Sequence, residues 1–169
     1  DEVPCTTRVE GDHVITSRFM ENIEAPPFWR MALRHNNLAD DVLVDRWQIC
    51  HFTPPSHVMI EVGVARAGKG GYDAPDDCKV SSVVVDFITP ETETSMHYFW
   101  GMARKFKPDN TELTAAIREG QGKIFAEDLD MLERQQRNLT AYPDRALLML
   151  NIDAGGVQSR KVIARHLEQ

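Results

Sequence analysis

The chain has 169 residues, 42% of them hydrophobic and 27% charged, with three cysteines and a formal net charge of -7 at pH 7. That balance is ordinary for a globular domain able to bury a core, and the apolar runs at 83–85 and 147–150 are too short to span a bilayer. The acidic excess argues against a nucleic-acid partner, which clustered Lys and Arg would hold. Cys5, Cys50 and Cys78 show no Cys-x-x-Cys pairing, as expected of free thiols in a reducing cytoplasm. The chain opens on Asp1-Glu2 with no basic start before an apolar stretch, so no secretory leader is expected.

Residues 7–19 alternate with a period of two around Gly11-Asp12, which predicts a hairpin. In Glu24-Ala25-Pro26-Pro27-Phe28-Trp29 the prolines lack the donor a central strand needs, so a loop with its two aromatics turned inward is expected. Strands follow at 46–52 and 57–65 across Pro54-Pro55-Ser56, then a glycine-rich connector, Ala67-Gly68-Lys69-Gly70-Gly71, without the spacing of a phosphate loop. With strands at 81–88 and 96–104, these predict an antiparallel sheet of about five or six strands, because the connections are too short for helical crossovers.

The second half reads as helix. Asp109 or Asn110 can cap a helix from Thr111 to about Asn138, with Glu112 in capping-box register to Asp109 and Pro143 marking the end of the region. A shorter helix is expected from near Ser159, containing Val162, Ile163 and Leu167. Sheet followed by long helix gives an α+β class.

One residue conflicts with its helical face. Leu113, Ile117, Ile124 and Met131 fall within roughly 40° of one another, and Asp128 stands beside them at about 60°. A carboxylate buried there has to be paired, protonated or metal-bound. It lies at the stripe's edge or pairs with Arg104 or Arg118, or it is the single carboxylate of a facial iron triad; periodicity does not choose.

Family resemblance adds to this. Ile124-Phe125-Ala126-Glu127-Asp128-Leu129-Asp130-Met131-Leu132-Glu133-Arg134-Gln135-Gln136-Arg137 resembles the iron-carboxylate helix of Rieske-type aromatic oxygenases of the vanillate O-demethylase group. Thr89-Pro90-Glu91-Thr92-Glu93-Thr94, His97-Tyr98-Phe99-Trp100-Gly101-Met102-Ala103-Arg104, Asn151-Ile152-Asp153-Ala154-Gly155-Gly156-Val157, Ala25-Pro26-Pro27-Phe28-Trp29-Arg30 and Asp45-Arg46-Trp47-Gln48-Ile49-Cys50 carry the likeness over nearly the whole chain.

The resemblance implies that residues 1–169 are part of a C-terminal catalytic domain of the helix-grip type, a curved antiparallel sheet with a long helix. It implies a mononuclear Fe(II) held by two histidines and one aspartate, with Asp128 in the aspartate position as catalytic metal ligand. It further implies a Rieske [2Fe-2S] cluster fed by a separate NAD(P)H-dependent reductase, dioxygen as oxidant and a homotrimer. The reaction it implies is O-demethylation of a methoxylated aromatic acid such as vanillate to a phenol and formaldehyde. The Rieske domain and both iron histidines are expected upstream of residue 1, so the chain by itself is expected to be inactive.

His51, His57 and His97 lie on expected strands without the spacing of a metal pair on one element, which favours surface or hydrogen-bonded core roles. Core packing is likewise the expectation for Trp29, Trp47 and Trp100, and substrate-binding residues stay unassigned. Two functional classes remain: part of an oxygenase, or a helix-grip module that binds an apolar or aromatic molecule without catalysis. A carboxylate on the apolar helix face is unnecessary to a carrier and favours the enzyme.

Overall fold

The computed structural model describes residues 3–168. One compact unit comprises the residues up to Phe106 together with those from Leu150 onward, and a second runs from Lys107 to Met149.

The first unit is built on six antiparallel strands in sequential order: β1 Cys5–Glu10, β2 His13–Glu24, β3 Leu43–Thr53, β4 His57–Arg66, β5 Lys79–Pro90 and β6 Met96–Arg104. The β1–β2 turn is the expected Gly11-Asp12 pair, with Gly11 at φ 61°, a left-handed conformation that glycine adopts without steric penalty. A register shift between Met20 and Ile23 bends β2 near the Asn22 position.

Alternation assigns the two faces of the sheet. Val14, Val44, Val64, Val80 and Val84 are buried on one of them. On that face packs α3, Ala154–Leu167: a Cβ on Gly155 would strike the Thr16 side chain, so only glycine lets the helix approach so closely. Helix α1, Pro27–His35, buries Trp29, Ala32 and Leu33. On the opposite face Trp47 is buried with Ala65 and Ala74, flanked by Ile49, and Tyr72 meets its indole edge-on at 5.7 Å. Gly63 lies directly across from Trp47 on β4, and a side chain there would overlap the indole ring.

Two sequence expectations are corrected. The Pro26-Pro27 stretch is not a loop to Trp29; α1 begins at Pro27, a first-turn position where the missing N–H is lost to no intrahelical bond and the fixed φ suits the helix. Of its aromatics Trp29 is buried and Phe28 only half-buried. Helix α3 starts five residues before Ser159, because Gly155, a poor helix former by propensity, is held by its close packing against Thr16.

The second unit is dominated by α2, Thr111–Ala141, a single uninterrupted helix as expected. Asn110, not Asp109, is its cap: Leu113 N–H donates to Asn110 Oδ1 at 2.8 Å. Leu113 and Ile117 are buried, whereas Ile124, Leu129, Met131 and Leu132 are exposed. The exposed pairs Glu119–Lys123 and Asp130–Arg134 have i,i+4 spacing and add little to stability.

Candidate functional site

Asp128 lies on α2 one turn beyond Ile124 and one turn before Leu132, as the helical period requires, but all three are exposed. The stripe on which it stands is therefore open over this stretch. Periodicity reports which residues share a face and says nothing of what covers that face. The Asp128 side chain makes no hydrogen bond or ion pair among the described residues, which leaves both carboxylate oxygens available as ligand donors.

Among the described residues no group of three His, Cys, Asp or Glu side chains comes together to hold a metal ion. The candidate histidines are engaged elsewhere. His51 Nε2 hydrogen-bonds Glu61 Oε1 at 2.9 Å, His57 meets Phe87 edge-on at 5.2 Å, and His97 faces Glu91 at 3.6 Å. The described residues thus do not by themselves make an iron site.

The Trp47 face carries a polar chain. Tyr72 donates its hydroxyl to Glu61 Oε2 at 2.6 Å while His51 occupies Oε1, and the His13 ring lies 5.2 Å from that of His51. Accepting from Tyr72 makes Glu61 hold that proton in place, so the phenol is pushed up, with burial and the Glu61 and Asp73 charges adding to the effect. Beside it opens a cleft of about 690 Å³ lined by Phe19, Asn22, Asp45, Arg46, Trp47 and Tyr72 among others. Asp45 is fixed there by accepting the backbone N–H of Asn22 and of Gly68, both at 3.0 Å, so it ties the bend of β2 to the glycine-rich turn.

The valine face carries a further feature that sequence reading missed. Asp86, 3% exposed, stands in β5 between Val58 of β4 and Trp100 of β6. Tyr98 hydrogen-bonds its carboxylate, yet Oδ1 is buried and receives no hydrogen bond from the protein. Burial drives the acid up, and the Tyr98 bond opposes this in part. The Cys50 thiol is pushed up as well, by burial first and then by the charges of Asp86 and Cys5. The signal was present in the sequence as a lone acid within Val83-Val84-Val85-Asp86-Phe87-Ile88, a run otherwise apolar on both faces of the strand. Trp29 and Trp47 are core residues as expected, and Trp100 is half-buried beside Asp86.

Comparison with known proteins gives these features a context. The chain is 76% identical over 98% of its length to a vanillate O-demethylase oxygenase subunit from Pseudomonas sp. (strain ATCC 19151), of which it covers 50%. It is 75% identical over 99% of its length to the subunit of that name from Pseudomonas sp. (strain HR199 / DSM 7063), of which it covers 47%. The chain therefore spans about half the length of these curated relatives. A crystal structure of dicamba monooxygenase with non-heme iron and dicamba superposes with a TM-score of 0.79 at 23% identity, over 97% of this chain and 49% of that one, and shows the fold. The α+β helix-grip class expected from the sequence is therefore the fold of this chain. No helix among the described residues is long and apolar enough to cross a membrane. With the family model for the vanillate O-demethylase oxygenase C-terminal domain matching residues 1–169, the chain belongs to that family.

Proposed function

We propose that residues 1–169 are part of the catalytic domain of an oxygenase that oxidatively O-demethylates a methoxylated aromatic acid, with vanillate as the leading substrate. The observation that carries this reading is the identity of 76% over 98% of the chain to a vanillate O-demethylase oxygenase subunit. The balanced reaction consumes the methoxyarene, dioxygen, two electrons and two protons. The methyl carbon gains a hydroxyl, one oxygen atom leaves as water, and the hemiacetal breaks its C–O bond to give a phenol and formaldehyde. A separate reductase drawing on reduced nicotinamide and a Rieske cluster outside these residues would deliver the electrons, in a homotrimer. A cytoplasmic setting is in keeping with three free cysteines. A non-catalytic binding module is not favoured, since relatives matching almost the whole chain are named as oxygenase subunits.

Within this reading Asp128 supplies one carboxylate ligand to a mononuclear iron, and two histidines from the preceding half of the protein supply the others. Its unengaged side-chain oxygens and its place within the continuous helix α2 support the assignment. Because the described residues do not complete the site, no step is derived through the metal.

The test uses the full-length oxygenase with its reductase. We expect formaldehyde release equimolar with consumption of 4-hydroxy-3-methoxybenzoate. Asp128→Asn keeps the shape and removes the charge, so iron content should fall by roughly tenfold or more, as expected on loss of one ligand from a three-residue site, with the [2Fe-2S] spectrum unchanged. Glu127→Gln, about 100° away around the helix, is the control and should retain its iron. Full iron occupancy in the Asp128 variant would make the carboxylate structural.

A further inference from the structure

Asp86 is unlike the other acids of this chain. No Lys or Arg pairs with it among the described residues, and its place in the sheet, between Val58 and Trp100, is apolar. A carboxylate kept only to pack would be replaced by a residue of similar shape without charge, since an ionised acid in such surroundings is held against its desolvation. The hydrogen bond from Tyr98 holds the carboxylate in orientation and leaves Oδ1 as an acceptor that the described residues do not use. On the same sheet face lie Phe52, Trp100 and Tyr98, whose rings supply flat apolar walls. An acceptor-only oxygen beside aromatic walls matches a hydrogen-bond donor on the edge of a planar ring. It mismatches a second carboxylate, which an ionised Asp86 would repel.

We propose that Asp86 is a specificity-determining residue that accepts, through Oδ1, the hydrogen bond of a ring hydroxyl on the methoxyarene substrate, and does not contact its carboxylate. This rests on the O-demethylase reading and deepens it, by assigning the recognition of hydroxylated over unhydroxylated rings to one atom. Tyr98 is then a positioning residue that fixes which oxygen faces the ligand.

The experiment uses the full-length oxygenase with its reductase and three probes: 4-hydroxy-3-methoxybenzoate, 3-methoxybenzoate, which lacks the ring hydroxyl, and 2-methoxyphenol, which lacks the carboxylate. Both kcat/KM and the anaerobic dissociation constant are measured. The native protein should favour the hydroxylated acid over 3-methoxybenzoate by about 10- to 100-fold, the range expected of a hydrogen bond to a charged group. In Asp86→Leu that ratio should collapse to near one, while the ratio of the hydroxylated acid to 2-methoxyphenol is retained. Asp86→Asn, closer in shape, should reduce the first ratio by a smaller factor and covers the event that the Leu variant does not fold.

An equal fall for all three probes would make Asp86 structural and overturn the proposal. So would a collapse of the second ratio instead of the first, which would mean a protonated Asp86 holding the carboxylate end. If the native protein demethylates none of the probes, the O-demethylase reading fails. The dissociation constants still decide whether Asp86 distinguishes a ring hydroxyl.

Discussion

Asp86 shares its face of β5 with Val84 and Ile88, and the hydrogen bond from Tyr98 offsets in part the loss of water around its carboxylate. Folding therefore raises its proton affinity above the ordinary value of 3.8. With the folded value raised, the native state binds more protons than the unfolded chain between the two values. The stabilising contribution of this group is fully present below the unfolded value and is lost as pH rises through the folded one. Asp86→Asn mimics the protonated acid at every pH. In full-length protein the variant should melt above the parent at pH 7, and the difference should shrink as pH falls towards 3.8. A difference that stays constant over that range would mean that ionisation of Asp86 does not limit stability. Together with the substrate contrast above, the result would show a site maintained against stability, as binding sites commonly are.

At the scale of elements, the strands were legible because each alternates and each is closed by a turn with recognisable chemistry, such as Gly11-Asp12 before β2 and Pro54-Pro55-Ser56 before β4. Helix α1 was hidden because two successive prolines mark a break when read along the chain, although the second is compatible with a first turn. Helix α2 was legible in extent, but the burial of Asp128 was not, since a stripe on one helix carries no information about its cover. The choice of cap was a matter of one residue. Asn110 satisfies the Leu113 N–H through its side chain and takes the Thr114 N–H on its carbonyl, so it anchors the first turn. Asn110→Ala should destabilise this turn by about 1 kcal/mol. Hydrogen exchange of the full-length protein should then speed up in the peptide covering 111–118, and Asn110→Asp should restore protection. Unchanged exchange in the Ala variant would show that Asp109 or water takes over the capping role.

For the whole molecule, apolar side chains lie exposed in each of the two units. On the sheet Met59, Phe87 and Phe99 share the Trp47 face of β4 to β6 and remain open, at 38%, 43% and 57%. In the second unit Leu129, Met131 and Leu132 are open on α2, at 56%, 68% and 52%. Fully covering one such side chain is worth roughly 1.5–3 kcal/mol, so leaving both groups in water would forgo a stabilisation comparable to that of an entire domain. Curated relatives are about twice as long as this chain, which makes the remainder of the protein, or a neighbouring subunit, the natural cover. The net charge of -7 would keep the uncovered chain dispersed without hiding these surfaces. We therefore expect the 169-residue chain expressed by itself to bind 8-anilinonaphthalene-1-sulfonate with strong, blue-shifted fluorescence, and the full-length oxygenase to bind far less per mole. Amides of α2 beyond Ile117 should exchange rapidly in the chain alone and slowly in the full-length protein, because only Leu113 and Ile117 are buried along that helix here. Equal dye binding and equal exchange in the two proteins would mean that these surfaces stay in water in the intact protein.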